Sequence, residues 1–368
     1  MKKYYNLFLA SVFLLPLYNI TYIYFFITIL FFIKTRFIRF DKNLLKVSFF
    51  FIVGLSLLFM NPYYYSFISI NDFAKSLLLI FFVLIVGTYE KIEIYKYVPV
   101  IILFLIIASQ LSYVFNLTYL TDYIDEIYPF NEENKIWTHR SIINLNELFN
   151  TNIRAGGIYR NPNQYTKYIN LLYILILNTQ LKINKKIIIS IIIFCSILLT
   201  GSRSGLAIYL IINFLFLKEN FKLMKIYFYV FLTSITVLSF DIETLRSFSF
   251  LDFGSLSKRF PVIKIITENL TLKSFLVGNF YGQETISSIR NYSFMFDSDL
   301  LSIFFRYGFI GTSILFSIYY KISEKSHFVY ISIVLIYAIT SGIFNDISFF
   351  ILITIILLLT KPNIVNEN

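Results

Sequence analysis

Lys182-Ile-Asn-Lys-Lys186-Ile-Ile-Ile-Ser-Ile-Ile-Ile-Phe-Cys-Ser-Ile-Leu-Leu-Thr200-Gly-Ser-Arg203-Ser-Gly-Leu-Ala-Ile-Tyr-Leu-Ile-Ile-Asn-Phe-Leu-Phe-Leu-Lys218 is the stretch that decides the fold class. Two apolar runs, 187–200 and 204–217, meet at a turn too tight to leave the membrane's edge, and lysines close both outer ends. Read as helices, the runs are short spans, or a tilted or re-entrant pair. Arg203 then stands at or just below one membrane boundary, while Lys182, Lys185, Lys186 and Lys218 stand at the other.

The same grammar extends over the whole chain. Hydrophobic residues make up 57% and charged residues 14%, whereas a soluble domain averages roughly 45–50% and about 25%. Such a chain cannot build a wettable surface. Phe (43) and Tyr (29) are abundant, with much of the Tyr near the ends of apolar runs, where an amphipathic ring sits well at the interface. The net charge of +11 does not indicate nucleic-acid binding, because the Lys and Arg are confined to short caps between apolar runs. Cys195 is the single cysteine, so there is no disulfide framework or thiolate metal site. His139 and His327 lie far apart, and no metal is expected.

A spanning helix takes about 20 mainly apolar residues. Spans are expected at 4–17, 20–33, 44–60, 72–88, 97–115, 163–181, 187–200, 204–217, 226–240, 298–320, 327–343 and 346–360. Lys2 and Lys3 ahead of the first run imitate a signal peptide, but no small-residue cleavage site follows and a second run comes at once, so retention is expected. Lys34, Arg36, Arg39, Lys42 and Lys46 fill one connection; Lys91 and Lys96, Lys182 to Lys186, Lys218 to Lys225, and Lys321 and Lys325 fill alternate later ones. Intervening short connections such as 61–71 and 344–346 carry neither Lys nor Arg, which puts both termini on the cytoplasmic side. The expected fold is an all-α polytopic membrane protein, one integral membrane domain over 1–368. It has about 12 transmembrane helices and two long extracytoplasmic loops, 116–162 and 241–297.

Three clusters at the outer side carry candidate chemistry. The first is Arg154-Ala-Gly-Gly-Ile-Tyr-Arg160-Asn-Pro-Asn163, in which the glycines permit close backbone approach and Asn-Pro-Asn can cap the following helix. Two arginines beside a helix N-terminus suit an anion; the plainer alternative is a capped loop whose arginines meet lipid phosphates. The second is Thr200-Gly-Ser-Arg203-Ser-Gly205, where a guanidinium is set among small hydroxylated neighbours; the alternative is snorkelling to headgroups. The third runs Asp297-Ser-Asp299-Leu-Leu-Ser-Ile-Phe-Phe-Arg306-Tyr-Gly308-Phe-Ile-Gly311, with Arg306 apolar on all flanks. Its aspartates either act on a substrate or cap the helix, and its glycines suit close helix packing. Arg246, Lys258, Arg259, Lys264, Lys273 and Arg290 in the second loop add an electropositive rim.

In this order and on this topology, Gly156 to Asn163, Thr200 to Gly205, Leu276-Val-Gly-Asn-Phe280 and Asp297 to Gly311 resemble the O-antigen polymerase and ligase superfamily. More narrowly, they look like the Wzy-type polymerases of O-antigen and capsular polysaccharide. The resemblance implies an integral-membrane glycosyltransferase of the bacterial plasma membrane that acts on undecaprenyl-diphosphate-linked oligosaccharide repeat units. It also implies a flippase and a chain-length regulator as partners, no nucleic acid and no cofactor.

Under that resemblance Arg203 faces the leaving diphosphate, and Asp297, with Asp299 as substitute, takes the acceptor's proton. Arg154, Arg160, Asn163, Arg259, Arg290 and Arg306 bind substrate. Asp297-Ser-Asp299 also reads literally as an Asp-x-Asp metal motif. The ligase branch carries a histidine at the position of Asp297, which favours polymerase over ligase. A lipid-linked oligosaccharide flippase is the alternative outside the enzymes, although flippases show repeated halves and short outer loops.

Overall fold

A computed structural model describes residues 95–115, 139–140, 154–159, 162–218, 271–277 and 299–322, with individual residues within 6–14, 117–122 and 330–336. The chain forms two compact units, Met1–Leu17 with Ile94–Phe253, and Tyr18–Glu93 with Gly254–Asn368.

The first unit contains α1 (Val98–Val114), a minimal antiparallel pair of β1 (His139–Arg140) and β2 (Arg154–Ala155), a 3-10 helix (Gly157–Tyr159), α2 (Pro162–Leu177), α3 (Ile183–Leu198) and α4 (Arg203–Lys218). The second contains α5 (Leu272–Val277) packed on α6 (Asp299–Ile322). Helices thus occupy the stretches 97–115, 163–181, 187–200, 204–217 and 298–320 that the apolar runs single out. Among the described residues no helix is long and apolar enough to cross a membrane. The expected spans between 20 and 88, with 226–240 and 346–360, lie outside the described residues.

Two features depart from the sequence expectation. The stretches read only as long loops hold regular structure: in the first, β1 and β2 pair His139 with Ala155 and Arg140 with Arg154, and α5 lies in the second. The run 298–320 is not one continuous helix. Gly308, at φ 64° and ψ −172°, divides α6 in a region of backbone space that is essentially open to glycine alone.

The first unit is organised around α2, which packs on α1, α3, α4 and the 3-10 helix. Its residues from Tyr165 to Leu177 are buried almost without interruption, which is how a helix reads when apolar neighbours enclose it on all sides. Proline opens α2 at the position where its missing N–H costs nothing.

The α2–α4 crossing is close because Gly205 has no side chain. A Cβ at that position would stand 2.4 Å from Thr166 Cβ and 2.5 Å from its Cγ2. Asn170 Nδ2 seals the crossing by donating to the Gly205 carbonyl at 3.1 Å. Deeper in the bundle, Tyr173, Ser190, Tyr209 and Asn213 form a buried hydroxyl–amide cluster. Tyr173 donates to Asn213 Oδ1 at 2.6 Å, and Ser190 Oγ lies 2.6 Å from both tyrosine hydroxyls.

Lys186 closes the opposite end of this unit, in the charged cap ahead of the expected 187–200 span. Its ammonium donates to the Leu177 carbonyl at the end of α2 and lies 5.8 Å from the Phe216 ring centroid. A cation there meets the negative end of the helix dipole. Burial nonetheless pushes the Lys186 ammonium below the usual lysine range.

Two outcomes follow from this packing. Gly205→Ala should lower the thermal stability of the purified protein by several degrees, because the added methyl collides with Thr166 inside a packed crossing and overpacking costs about 1–3 kcal/mol. Lys186 binds its proton more weakly folded than unfolded, so the cost of its buried charge is fully present at neutral pH. That cost is relieved as the pH climbs through the depressed folded value. The stability of the wild type relative to Lys186→Met should therefore rise toward about pH 10. A difference that stays flat or falls over that range contradicts the assignment.

Candidate functional site

The turn between α3 and α4 carries the second sequence cluster, and its hydrogen bonds account for the carbonyls at the end of α3. Cys195 O accepts from Leu199 N–H, Ile197 O from Thr200 N–H and Leu198 O from Gly201 N–H. Ser196 O is left over, and Gln110 Nε2 on α1 reaches it at 2.9 Å. A buried helix end needs such partners for every carbonyl that its own helix cannot serve.

Gln110 is the centre of this site. It is fully buried, and its second Nε2 proton goes to the Ala155 carbonyl at 3.0 Å. Its Oε1 stands 2.9 Å from Tyr165 OH and 2.8 Å from Ser196 Oγ, and those two hydroxyls are 2.5 Å apart. Two hydroxyl protons thus serve three oxygen–oxygen edges, with α1, α2 and α3 each contributing one group. The Ala155 N–H in turn donates to Leu199 O at 3.3 Å. The backbone beside Arg154 is therefore pinned to the end of α3, four residues before Arg203.

The first sequence cluster folds back on the same place. Gly157, at φ +51°, lies so close to α1 that a Cβ would come within 2.6 Å of Ser109 Oγ and 2.9 Å of the Gln110 nitrogen. Ser109 Oγ accepts from Ile158 N–H at 3.2 Å. The close approach foreseen for these glycines is thus made by α1. Tyr159 stacks on Tyr168 with centroids 4.4 Å apart and donates to the Phe13 carbonyl. Asn163, in the first turn of α2, accepts at Oδ1 from Ser202 Oγ at 2.9 Å. Ser202 caps α4 by accepting from Gly205 N–H at 3.2 Å. Arg203 is the first residue of α4, beside the positive end of that helix's dipole.

Of the sequence candidates, the structure brings the Arg154 backbone, Asn163 and the Arg203 backbone to one end of the first unit. Asp299 opens α6 in the second unit, and Arg306 lies two residues before its break at Gly308. Arg160, Asp297, Arg259 and Arg290 lie outside the described residues. Among the described residues no group of three or more His, Cys, Asp or Glu could hold a metal ion.

Sequence reasoning passed over Gln110, Tyr165 and Ser196. It also passed over Lys167, which is buried on α2 at 1% relative exposure. The available signal was a polar or charged side chain inside an apolar run: Gln110 within 97–115 and Lys167 within 163–181. Ionisable residues in such positions are functional candidates by default.

Gln110→Leu strips partners from the Ala155 and Ser196 carbonyls at once. It should destabilise the protein by about 3 kcal/mol in reversible denaturant titration, each buried orphan costing about 1–3 kcal/mol. Tyr165→Phe, which leaves Ser196 Oγ on Gln110, should cost about 1 kcal/mol. Equal losses for the two variants would show that Gln110 does not anchor the site.

No protein-family model matches the chain, and no curated protein matches it.

Proposed function

We propose that the protein polymerises a surface polysaccharide. It would transfer glycan from undecaprenyl diphosphate onto another lipid-linked oligosaccharide repeat unit at the outer face of a bacterial plasma membrane. The chain would cross that membrane about a dozen times, with both termini cytoplasmic. The observation that carries the reading is the pinning of the Arg154 strand to the Arg203 turn through Ala155 N–H and Leu199 O, with Ser202 bridging to Asn163. The two arginine motifs of the resemblance, some 50 residues apart in sequence, share one end of one helical unit, next to the N-terminus of α4.

In the proposed reaction an acceptor hydroxyl attacks the anomeric carbon of the donor glycan. The new glycosidic bond forms as the bond to the phosphate oxygen breaks, and the diphosphate leaves with the electron pair. Negative charge builds on the leaving group, where arginines and a helix N-terminus stabilise it. The hydroxyl proton passes to a carboxylate, with Asp297 the candidate and Asp299 its substitute. Arg203 is assigned the leaving diphosphate. Arg154, Arg160, Asn163, Arg259, Arg290 and Arg306 are assigned to donor or acceptor binding.

Deleting the gene should leave single repeat units that still reach the surface, without the ladder of longer chains. Full-length polymer stranded on its lipid would mark a ligase instead, and units trapped on the cytoplasmic leaflet a flippase. Arg203→Ala should lower turnover about 10²–10³-fold and abolish the ladder at unchanged protein level. A normal ladder in that variant would remove Arg203 from the diphosphate role.

A further inference from the structure

The break in α6 leaves chemistry that its fold does not use. After Gly308 the helix restarts at Phe309 and runs to Ile322, long enough to carry a dipole of its own. The first N–H groups of this second half, Phe309 to Gly311, follow a residue whose backbone is not helical, so they find no carbonyl in their own helix. Such a helix start attracts anions, phosphate above all.

An independent observation points to a ligand at the same place. Thr312 is buried at 9% relative exposure, and its hydroxyl has no hydrogen-bond partner. A helical threonine ordinarily donates to the carbonyl four residues earlier, here that of Gly308. The Thr312 hydroxyl makes no such bond. Helical side chains lean toward their own N-terminus, so the Thr312 hydroxyl is aimed back over the break. An unpaired buried hydroxyl costs about 1–3 kcal/mol unless something answers it.

The surroundings keep the break in place and open to one side. Phe275 of α5 straddles it, edge-on to Phe304 before the break (centroids 5.5 Å) and stacked on Phe309 after it (6.0 Å). Phe309 and Ile310, at the head of the second half, are 54% and 49% exposed. The entrance is therefore apolar while the donors behind it are backbone amides and a hydroxyl. Arg306 adds a positive residue two positions before the break.

We infer that the break at Gly308 is a binding site for a lipid-borne phosphate, held by the amides of Phe309 to Gly311 and the hydroxyl of Thr312. The apolar entrance takes the start of the lipid chain. Two sources share this chemistry, a polyprenyl diphosphate and a phospholipid headgroup. Choosing the first rests on the polymerase reading above; the site itself does not.

The test uses the full chain in a phosphate-free maltoside detergent, following amide hydrogen exchange of the segment 308–313 during titration with farnesyl diphosphate, phosphatidylglycerol or inorganic pyrophosphate. Farnesyl diphosphate should slow exchange there saturably. Thr312→Val keeps the shape and removes only the unpaired hydroxyl, so the variant should fold at least as well. It should nevertheless bind farnesyl diphosphate about tenfold more weakly. Equal protection by phosphatidylglycerol supports the site and assigns it to headgroups. Protection that Thr312→Val leaves unchanged, or no protection by any of the probes, overturns the proposal. A deletion strain with a normal ladder would remove the polymerase reading and leave this binding result standing.

Discussion

Everything described in the first unit depends on one requirement, that polar backbone at the end of a buried helix must find partners. The end of α3 is buried at Ser196, Ile197 and Thr200, where its carbonyls turn to protein partners. Three are served within the turn that follows, and the fourth by Gln110 from a helix 86 residues away in sequence. Because the same amide also holds Ala155, the requirement fixes where the first long connection returns to the bundle. The placement of Arg154 and Arg203 at one end is a by-product of that accounting.

The glycines act in the same economy of space. Gly157 against Ser109 and Gly205 against Thr166 are positions where backbone touches a neighbouring helix directly. Small hydroxylated residues around them, Ser109, Thr166, Ser202 and Ser204, supply hydrogen bonds where longer side chains would separate the helices. This is the packing style of helices that associate without help from water. Large residues then pack one layer further out, as Tyr159 on Tyr168 and Tyr173 on Tyr209.

The helices were legible because their apolar runs are long and capped by charge, as Lys182 to Lys218 illustrates. Their ends were legible to within a few residues: α1 begins one residue inside the run 97–115, and α3 begins four residues before the run 187–200 because its lysine-bearing cap is helical too. The break in α6 was not legible. Gly308 and Gly311 have the spacing of a packing face, and nothing in the residue types distinguishes that from a backbone that leaves the helix altogether. Two of the arginine and glycine clusters meet at one end of the first unit. The amide that joins them was missed because a single glutamine in an apolar run has no spacing partner; its partners come from β2, α2 and α3. Chain-distant hydrogen bonds leave no periodic trace.

The reach of Gln110 also has a bearing on biogenesis. Its amide belongs to α1, yet the Ser196 carbonyl that it must meet is made 86 residues later. At a synthesis rate of about 5–20 residues per second that is a wait on the order of ten seconds. The other partners of Gln110 come sooner, the Ala155 carbonyl after 45 residues and Tyr165 after 55, so the amide is completed in steps. The last of them arrives with α3, so α1 reaches its final hydrogen bonding only after that helix is made.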